Sequence, residues 1–105
     1  MTKRRVLIHI VTWNSADTIA RCIEHARAQR GFSLSDDLVI RITDNASSDE
    51  TVKRVQELGT VDGLELHINP VNLGFCGAHN QGAAQCIEGG FDAMLILNPD
   101  VGLFP

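Results

Sequence analysis

A chain of 105 residues, 44% hydrophobic and 21% charged, has enough apolar surface for one modest core and too much for a disordered segment. Its formal charge of −4 leaves no electrostatic footprint for nucleic acid, and the one basic cluster, Lys3-Arg4-Arg5, reads as a solvated leader to the first strand. Val6 to Val11 is too short an apolar run to span a bilayer, and no small, cleavable site follows it, so no transmembrane segment or signal peptide is expected and the cytoplasm is the default compartment.

The first predicted element is a strand over Arg5–Thr12, nearly continuous in β-branched and aliphatic residues as expected at the centre of a parallel sheet. Asn14 or Ser15 is placed to cap a helix whose Ile19, Cys22, Ile23 and Ala26 form one apolar stripe. A polar connection, Arg30 to Asp37, leads to a second strand, Leu38–Thr43. Ser47-Ser48-Asp49-Glu50 has the spacing of a capping box for a second helix, with Val52 and Val55 inward and Gly59 at its end. Leu64–Ile68 alternates strictly, the pattern of a half-exposed edge strand. After Asn69-Pro70 a glycine-rich turn leads to a third helix, with Phe75, His79, Gly82, Ala83 and Cys86 on its inner side and Gly89-Gly90 as its stop. Asp92–Leu97 is the fourth strand. The order β-α-β-α-β-α-β implies right-handed crossovers in an α/β, Rossmann-like, doubly wound parallel sheet with strand order 3-2-1-4.

Three cysteines, Cys22, Cys76 and Cys86, are odd in number and lack C-x-x-C spacing, so they encode neither a disulfide framework nor a zinc site; buried thiols are expected, Cys22 and Cys86 above all. His9, His25 and His67 show no metal-ligand spacing and read as structural, and His79 reads as packing on the inner face of its helix. Asn45-Ala46-Ser47 fits a glycosylation acceptor pattern that matters only in a secreted protein.

In open α/β sheets, ligands sit beyond the carboxyl ends of the strands. Those ends are Thr12-Trp13-Asn14, Asp44-Asn45, Asn69 to Asn72 and Asn98-Pro99-Asp100, every one polar. Asn14 and Asn45 serve equally as turn residues, and Trp13 as a core residue or a stacking platform. Asn72-Leu73-Gly74-Phe75-Cys76-Gly77-Ala78-His79-Asn80 puts two glycines where a loop enters a helix, where backbone amides can meet a phosphate. It is not G-x-G-x-x-G, which disfavours a nicotinamide dinucleotide. Pro99 breaks the last strand, and Asp100 after it suits a hard divalent ion that keeps several waters, or else the tripeptide is simply a turn.

Taken in order, "VTWN", "TDNASSDET", "NLGFCGAHNQG" and "LILNPDV" resemble the donor-binding half of the family 2 glycosyltransferases, notably bacterial rhamnosyltransferase-like members, over Val6 to Pro105. The resemblance implies the nucleotide-diphospho-sugar transferase (GT-A) fold, truncated, with residues 1–105 as the nucleotide-sugar-binding half and the acceptor half absent. It implies that Thr12, Trp13 and Asn14 border the nucleoside, that Asp44 bonds the base edge, and that Asn45 shapes that pocket. Asn72, Gly74 and Asn80 would line the donor near its ribose and phosphates. Asn98-Pro99-Asp100 matches the family's D-x-D position, whose acids hold Mg2+ or Mn2+ on the diphosphate; Asn98 is a weaker, neutral ligand, so Asp100 would carry most of the coordination.

The implied activity is inverting, metal-dependent transfer of a sugar from a nucleotide-diphosphate donor to a saccharide or lipid-linked acceptor hydroxyl. The general base would lie beyond Pro105, so this chain alone would bind donor at best, and the full-length protein could sit peripherally at a membrane. Two other readings are a noncatalytic nucleotide-binding module complete at this length, and a sugar nucleotidyltransferase, which would carry a glycine-rich, basic loop where Thr12-Trp13-Asn14 stands. The fourth strand, apolar on both faces, would lack a neighbour on its outer side, which predicts self-association as an edge-paired homodimer.

Overall fold

The structure, a computed structural model, describes residues 5–28, 37–58 and 63–100. Four strands, β1 (Val6–Thr12), β2 (Leu38–Asp44), β3 (Leu64–Ile68) and β4 (Ala93–Leu97), alternate with three helices, α1 (Ile19–Arg27), α2 (Thr51–Glu57) and α3 (Gly74–Glu88). The strands form one parallel sheet in the order β3-β2-β1-β4. This is the expected order, with β1 central and β3 at an edge. Residues 30–36 of the predicted connection, the stop at Gly59 and the motif's last residue, Val101, lie outside the described residues.

Register explains how the two faces differ. Ile8 pairs with Ile40 and Ile10 with Ile42, so successive even-numbered side chains form one apolar face. Onto it pack Ile19, Cys22, Ile23 and Ala26 of α1 and Val55 of α2, a single cluster in which the isoleucines are fully or almost fully buried. Each such side chain contributes about 1.5–3 kcal/mol by leaving water, so this face supplies most of the cohesion. The opposite face is partly polar: His9 and Arg41 face each other across β1 and β2, and Arg41 is ion-paired with Glu65 of β3 at 3.6 Å.

One helix, α3, covers that second face, against β1, β2 and β4. Its fit depends on Gly82, where an added Cβ would stand 2.5 Å from the His9 ring. The ring itself is fixed at both nitrogens, Nε2 lying 2.8 Å from Thr43 Oγ1 and Nδ1 lying 2.7 Å from His79 Nδ1. Among the described residues no group hydrogen-bonds the other nitrogen of His79, Nε2, which is buried. The arrangement with His79 donating to His9, and His9 Nε2–H donating to Thr43, leaves only a lone pair unmet rather than an N–H, and it is the tautomer pair these contacts favour. The second face is therefore held by a histidine packed against a glycine, as well as by Leu7, Val39 and Ala78.

The helix termini depart from expectation. Neither Asn14 nor Ser15 caps α1 with its side chain; the Ser15 carbonyl accepts from Thr18 and Ile19 instead. The predicted capping box at Ser47–Glu50 does not form either, since Ser47 Oγ is spent on Asp44 Oδ1 and Glu50 caps without a side-chain bond. Asp49 replaces it, accepting from the Thr51 amide at 3.0 Å and from the Thr51 hydroxyl; that hydroxyl holds the exposed Asp49 carboxyl below its usual range. In α2, Val55 is buried as expected while Val52 is half-buried, and Thr51 takes a fully buried place by accepting from the Ser15 amide.

The stop at Gly89-Gly90 is as predicted: Gly90 has φ 68°, and the Phe91 amide closes back onto the Cys86 carbonyl at 3.0 Å. Of the residues expected inside α3, His79 and Gly82 are buried, Ala83 and Cys86 half-buried, and Phe75 exposed. Phe75 lies in the first turn, with its ring edge-on to His79. Cys22 is buried as expected, but Cys86 is only half-buried and Cys76 is exposed; all three are free. No helix of the described residues is long and apolar enough to cross a membrane.

Candidate functional site

The carboxyl ends of the strands are tied together by side chains. Thr12 and Asp44 end β1 and β2 side by side, and the Thr12 hydroxyl donates to Asp44 Oδ1 at 2.6 Å. Ser47 adds its amide (2.9 Å) and hydroxyl (2.6 Å) to the same carboxylate. Asp44 is 1% exposed, with both oxygens engaged inside the chain.

The turn after β1 is sewn to the turn after β2. Asn14, in the left-handed region at φ 49°, accepts at Oδ1 from the amides of Ser48 (2.8 Å) and Asp49 (3.3 Å), and its own amide donates to Ser47 Oγ. Ala16 N–H reaches Asp49 Oδ2. Asparagine is one of the few side chains that tolerate this backbone, and the sharp bend it permits leaves the preceding Trp13 58% exposed. The serine- and aspartate-rich stretch thus fixes the Trp13 turn, while Asp49 also accepts from the first amide of α2.

A cleft of about 380 Å³ opens over these ends, lined by Val11, Trp13, Ser15, Asn45, Asn72, Gly74, Phe75, Asn98, Pro99 and Asp100. Four separate loops contribute to it. Trp13 and Phe75, exposed to 58% and 56%, are its aromatic surfaces. Gly74 has φ 79°, a conformation that a Cβ would strain, and its amide is held at 2.7 Å by Asn72 Oδ1. With the Leu73 amide bonded to Asn45 Oδ1, two of the backbone donors at the start of α3 are satisfied internally.

At the opposite wall, Cys22 Sγ lies 3.7 Å from the Asn98 carbonyl, under the Asn98-Pro99-Asp100 turn. Burial pushes the Cys22 thiol up, and the Asp100 carboxylate pushes it further in the same direction. No described residue forms an ion pair with Asp100. An exposed carboxylate beside an amide carbonyl, open to the cleft and without a protein counter-charge, fits a hard divalent ion that completes its shell from water and a diphosphate. Among the described residues no group of three or more histidines, cysteines or acids is placed to hold a metal ion.

Of the residues singled out from the sequence, Trp13, Asn45, Asn72, Gly74, Asn98 and Asp100 line the cleft. Thr12 and Asp44 lie buried behind it, Asn14 turns its side chain to Ser48 and Asp49, and Asn80 is exposed on α3 without lining it. Val11, Ser15, Phe75 and Pro99, none of them assigned a binding role from the sequence, complete the lining. The spacing predicts Phe75 on the inner side of the helix; its place one residue after the glycine that opens α3 is the signal that puts it at the mouth. Asn45 is 2% exposed with its amide bonded to Gly74, so a glycan on it is incompatible with this fold.

A comparison with curated protein sequences finds no match. Among solved structures, a mannosyltransferase from Pyrobaculum calidifontis in complex with GDP-Man and Mn2+ superposes with a TM-score of 0.79 at 23% identity, over 99% of this chain and 29% of that one. S. aureus TarS 1-349 matches with a TM-score of 0.74 at 19% identity, over 91% of this chain and 27% of its own, and the same protein in complex with UDP with 0.67 at 17%. At these identities the likeness shows the fold, a GT-A type sheet, and this chain spans less than a third of the length of those proteins. Residues 7–100 match the family described as Glycosyl transferase family 2, and the chain belongs to that family.

Proposed function

We propose that these residues are the donor-binding half of a glycosyltransferase that moves a sugar from a nucleotide diphosphate to an acceptor hydroxyl with inversion. The observation that carries this reading is the convergence of an exposed indole, a glycine-opened helix start and an uncompensated carboxylate on one cleft, in a chain of this family. Trp13 and Phe75 offer apolar faces to a nucleobase, Asn72 and Gly74 lie along the ribose and phosphates, and Asp100, helped by the Asn98 carbonyl, holds Mg2+ or Mn2+. When bound, such an ion neutralises charge on the departing nucleoside diphosphate. Asn45 supports the pocket, and Thr12, Asn14 and Asp44 act from behind it as the frame of the Trp13 turn. The acceptor hydroxyl, saccharide or lipid-linked, attacks the anomeric carbon from the face opposite the leaving group, and the base that takes its proton lies outside these residues. The bound complexes of the structural neighbours, GDP-Man with Mn2+ in one and UDP in the other, support the ligand class.

Calorimetric titration with UDP and GDP, with and without Mn2+, tests this. Binding is expected to tighten with Mn2+, and Asp100→Ala is expected to remove that increment, weakening metal-dependent binding by about tenfold or more. Unchanged metal dependence in Asp100→Ala would refute the metal assignment.

Among the described residues the outer edge of β4 has no strand beside it, and Leu95 and Ile96 of that strand are exposed. As a separate chain the protein is proposed to form a homodimer by pairing this edge with that of a second copy. Sedimentation equilibrium at high concentration is expected to find a dimer; a clean monomer contradicts the pairing.

A further inference from the structure

Three amide side chains form one continuous chain of hydrogen bonds behind the cleft. Asn45, at the end of β2, donates from Nδ2 to the Gly74 carbonyl (3.0 Å) and accepts at Oδ1 from the Leu73 amide (3.2 Å). Asn69, after β3, donates from Nδ2 both to Asn45 Oδ1 (3.1 Å) and to Gln81 Oε1 (2.9 Å). Gln81, in α3, returns a bond from Nε2 to Asn69 Oδ1 (3.0 Å). Asn45 and Asn69 are each 2% exposed, so these groups have no water to fall back on.

The direction of every bond is forced. The Leu73 amide can only donate and the Gly74 carbonyl can only accept, which fixes the oxygen and nitrogen of Asn45. Asn45 Oδ1 then requires a donor from Asn69, and the remaining Asn69 oxygen requires a donor from Gln81. A carboxylate at position 69 or 81 would set an acceptor against an acceptor. The chain therefore runs from the middle of α3, past the end of β3 at Asn69 and of β2 at Asn45, to the two backbone groups where the β3–α3 loop becomes a helix and lines the cleft.

We propose that Gln81 and Asn69 are positioning residues: they act through Asn45 to hold Leu73 and Gly74, and with them Asn72 and Phe75, in the geometry that receives the nucleoside diphosphate. The inference rests on the donor-site reading above for the ligand, and on the hydrogen-bond chain alone for the loop. Neither residue touches the cleft, so loss of either acts on ligand binding only through the loop.

The test pairs binding with hydrogen exchange in the 105-residue chain. Gln81→Glu is expected to weaken UDP or GDP binding in Mn2+ by about tenfold, and to speed exchange of the Leu73 amide by a similar factor, while the Ile40 amide, bonded to the Gly63 carbonyl in the sheet region, keeps its rate. Gln81→Ala, which keeps a strong helix former at a half-buried position, is expected to shift both in the same direction by less. The proposal is overturned if Leu73 exchanges at the wild-type rate in both variants, or if Leu73 and Ile40 speed up together, which is the signature of a merely structural role. Should the unaltered chain bind neither nucleotide while Gln81→Glu still loosens Leu73 alone, the donor reading fails and the positioning of the loop stands.

Discussion

Gly82→Ala is expected to destabilise the chain by about 2–3 kcal/mol, although alanine is the better helix former by about 1 kcal/mol. An added Cβ meets His9 Cγ and Nδ1 at 2.5 Å and Cε1 at 2.6 Å, closer than real Cβ atoms come to other heavy atoms. The imidazole cannot step aside, because Thr43 and His79 hold its two nitrogens and it is fully buried. The helix must lift instead, and α3 is the one helix of the described residues on that face. Urea unfolding measures the loss. The cause is separable: His9→Ala removes the obstacle, so Gly82→Ala should cost far less in a His9→Ala background than alone. Additive effects would show that the contact is not what limits Gly82.

Stability is expected to fall as the pH drops from about 6.5 towards 4. Burial holds His9 down to about 4 from its ordinary 6.5, with smaller contributions from His79 and the Arg41 guanidinium. In the unfolded chain the imidazole takes up its proton near 6.5, whereas in the fold it stays neutral until about 4. Above 6.5 neither state is charged there and stability is complete; between 6.5 and 4 the unfolded state binds more protons and gains on the native one. Across that window the difference amounts to about 3 kcal/mol. His79, lowered by burial alone, acts in the same sense. The groups facing the pair are Thr43 from β2, Arg41 beside it with its Glu65 partner, and Phe75 on the ring of His79; none places a carboxylate in hydrogen bond with either ring. Asp49, whose carboxyl is lowered by its Thr51 bond, loses its contribution only at lower pH, as it is protonated below the usual carboxylate range. Urea midpoints at pH 7.5 and 4.5 check the slope, and a flat profile through this window would contradict the buried neutral pair.

The topology was readable because its signals are long and redundant. Uninterrupted aliphatic runs in β1 and β2, strict alternation in β3 and the α1 stripe each give one answer, and Gly89-Gly90 ends α3 as its chemistry requires. The polar turns were not, because short polar side chains have several partners in reach and only the fold selects among them. Ser47 looks like a cap in isolation and serves Asp44 in the structure; Asn14 looks like a cap for α1 and binds the turn after β2. The same holds for the site. Trp13, Asn72 and Asp100 could be assigned to strand ends from the sequence, whereas the burial of Asp44 behind Thr12 depends on in-register pairing of β1 with β2. Asn69 stands at a strand end and Gln81 inside the third motif, but nothing in the sequence pairs them, since they are twelve residues apart and meet only because β3 and α3 pack.

The central claim is that the ends of β1, β2 and β4 and the start of α3 form one site for a nucleoside diphosphate and a divalent ion. Paramagnetic broadening by substoichiometric Mn2+, in the presence of GDP or UDP, locates the ion within the folded chain. The account predicts loss of signal from the Trp13 indole and from Gly74, Asn98 and Asp100, with Asp37, Gly63 and Asp92 at the far ends of the strands left sharp. Broadening centred on those far residues, or spread evenly over the chain, would contradict it.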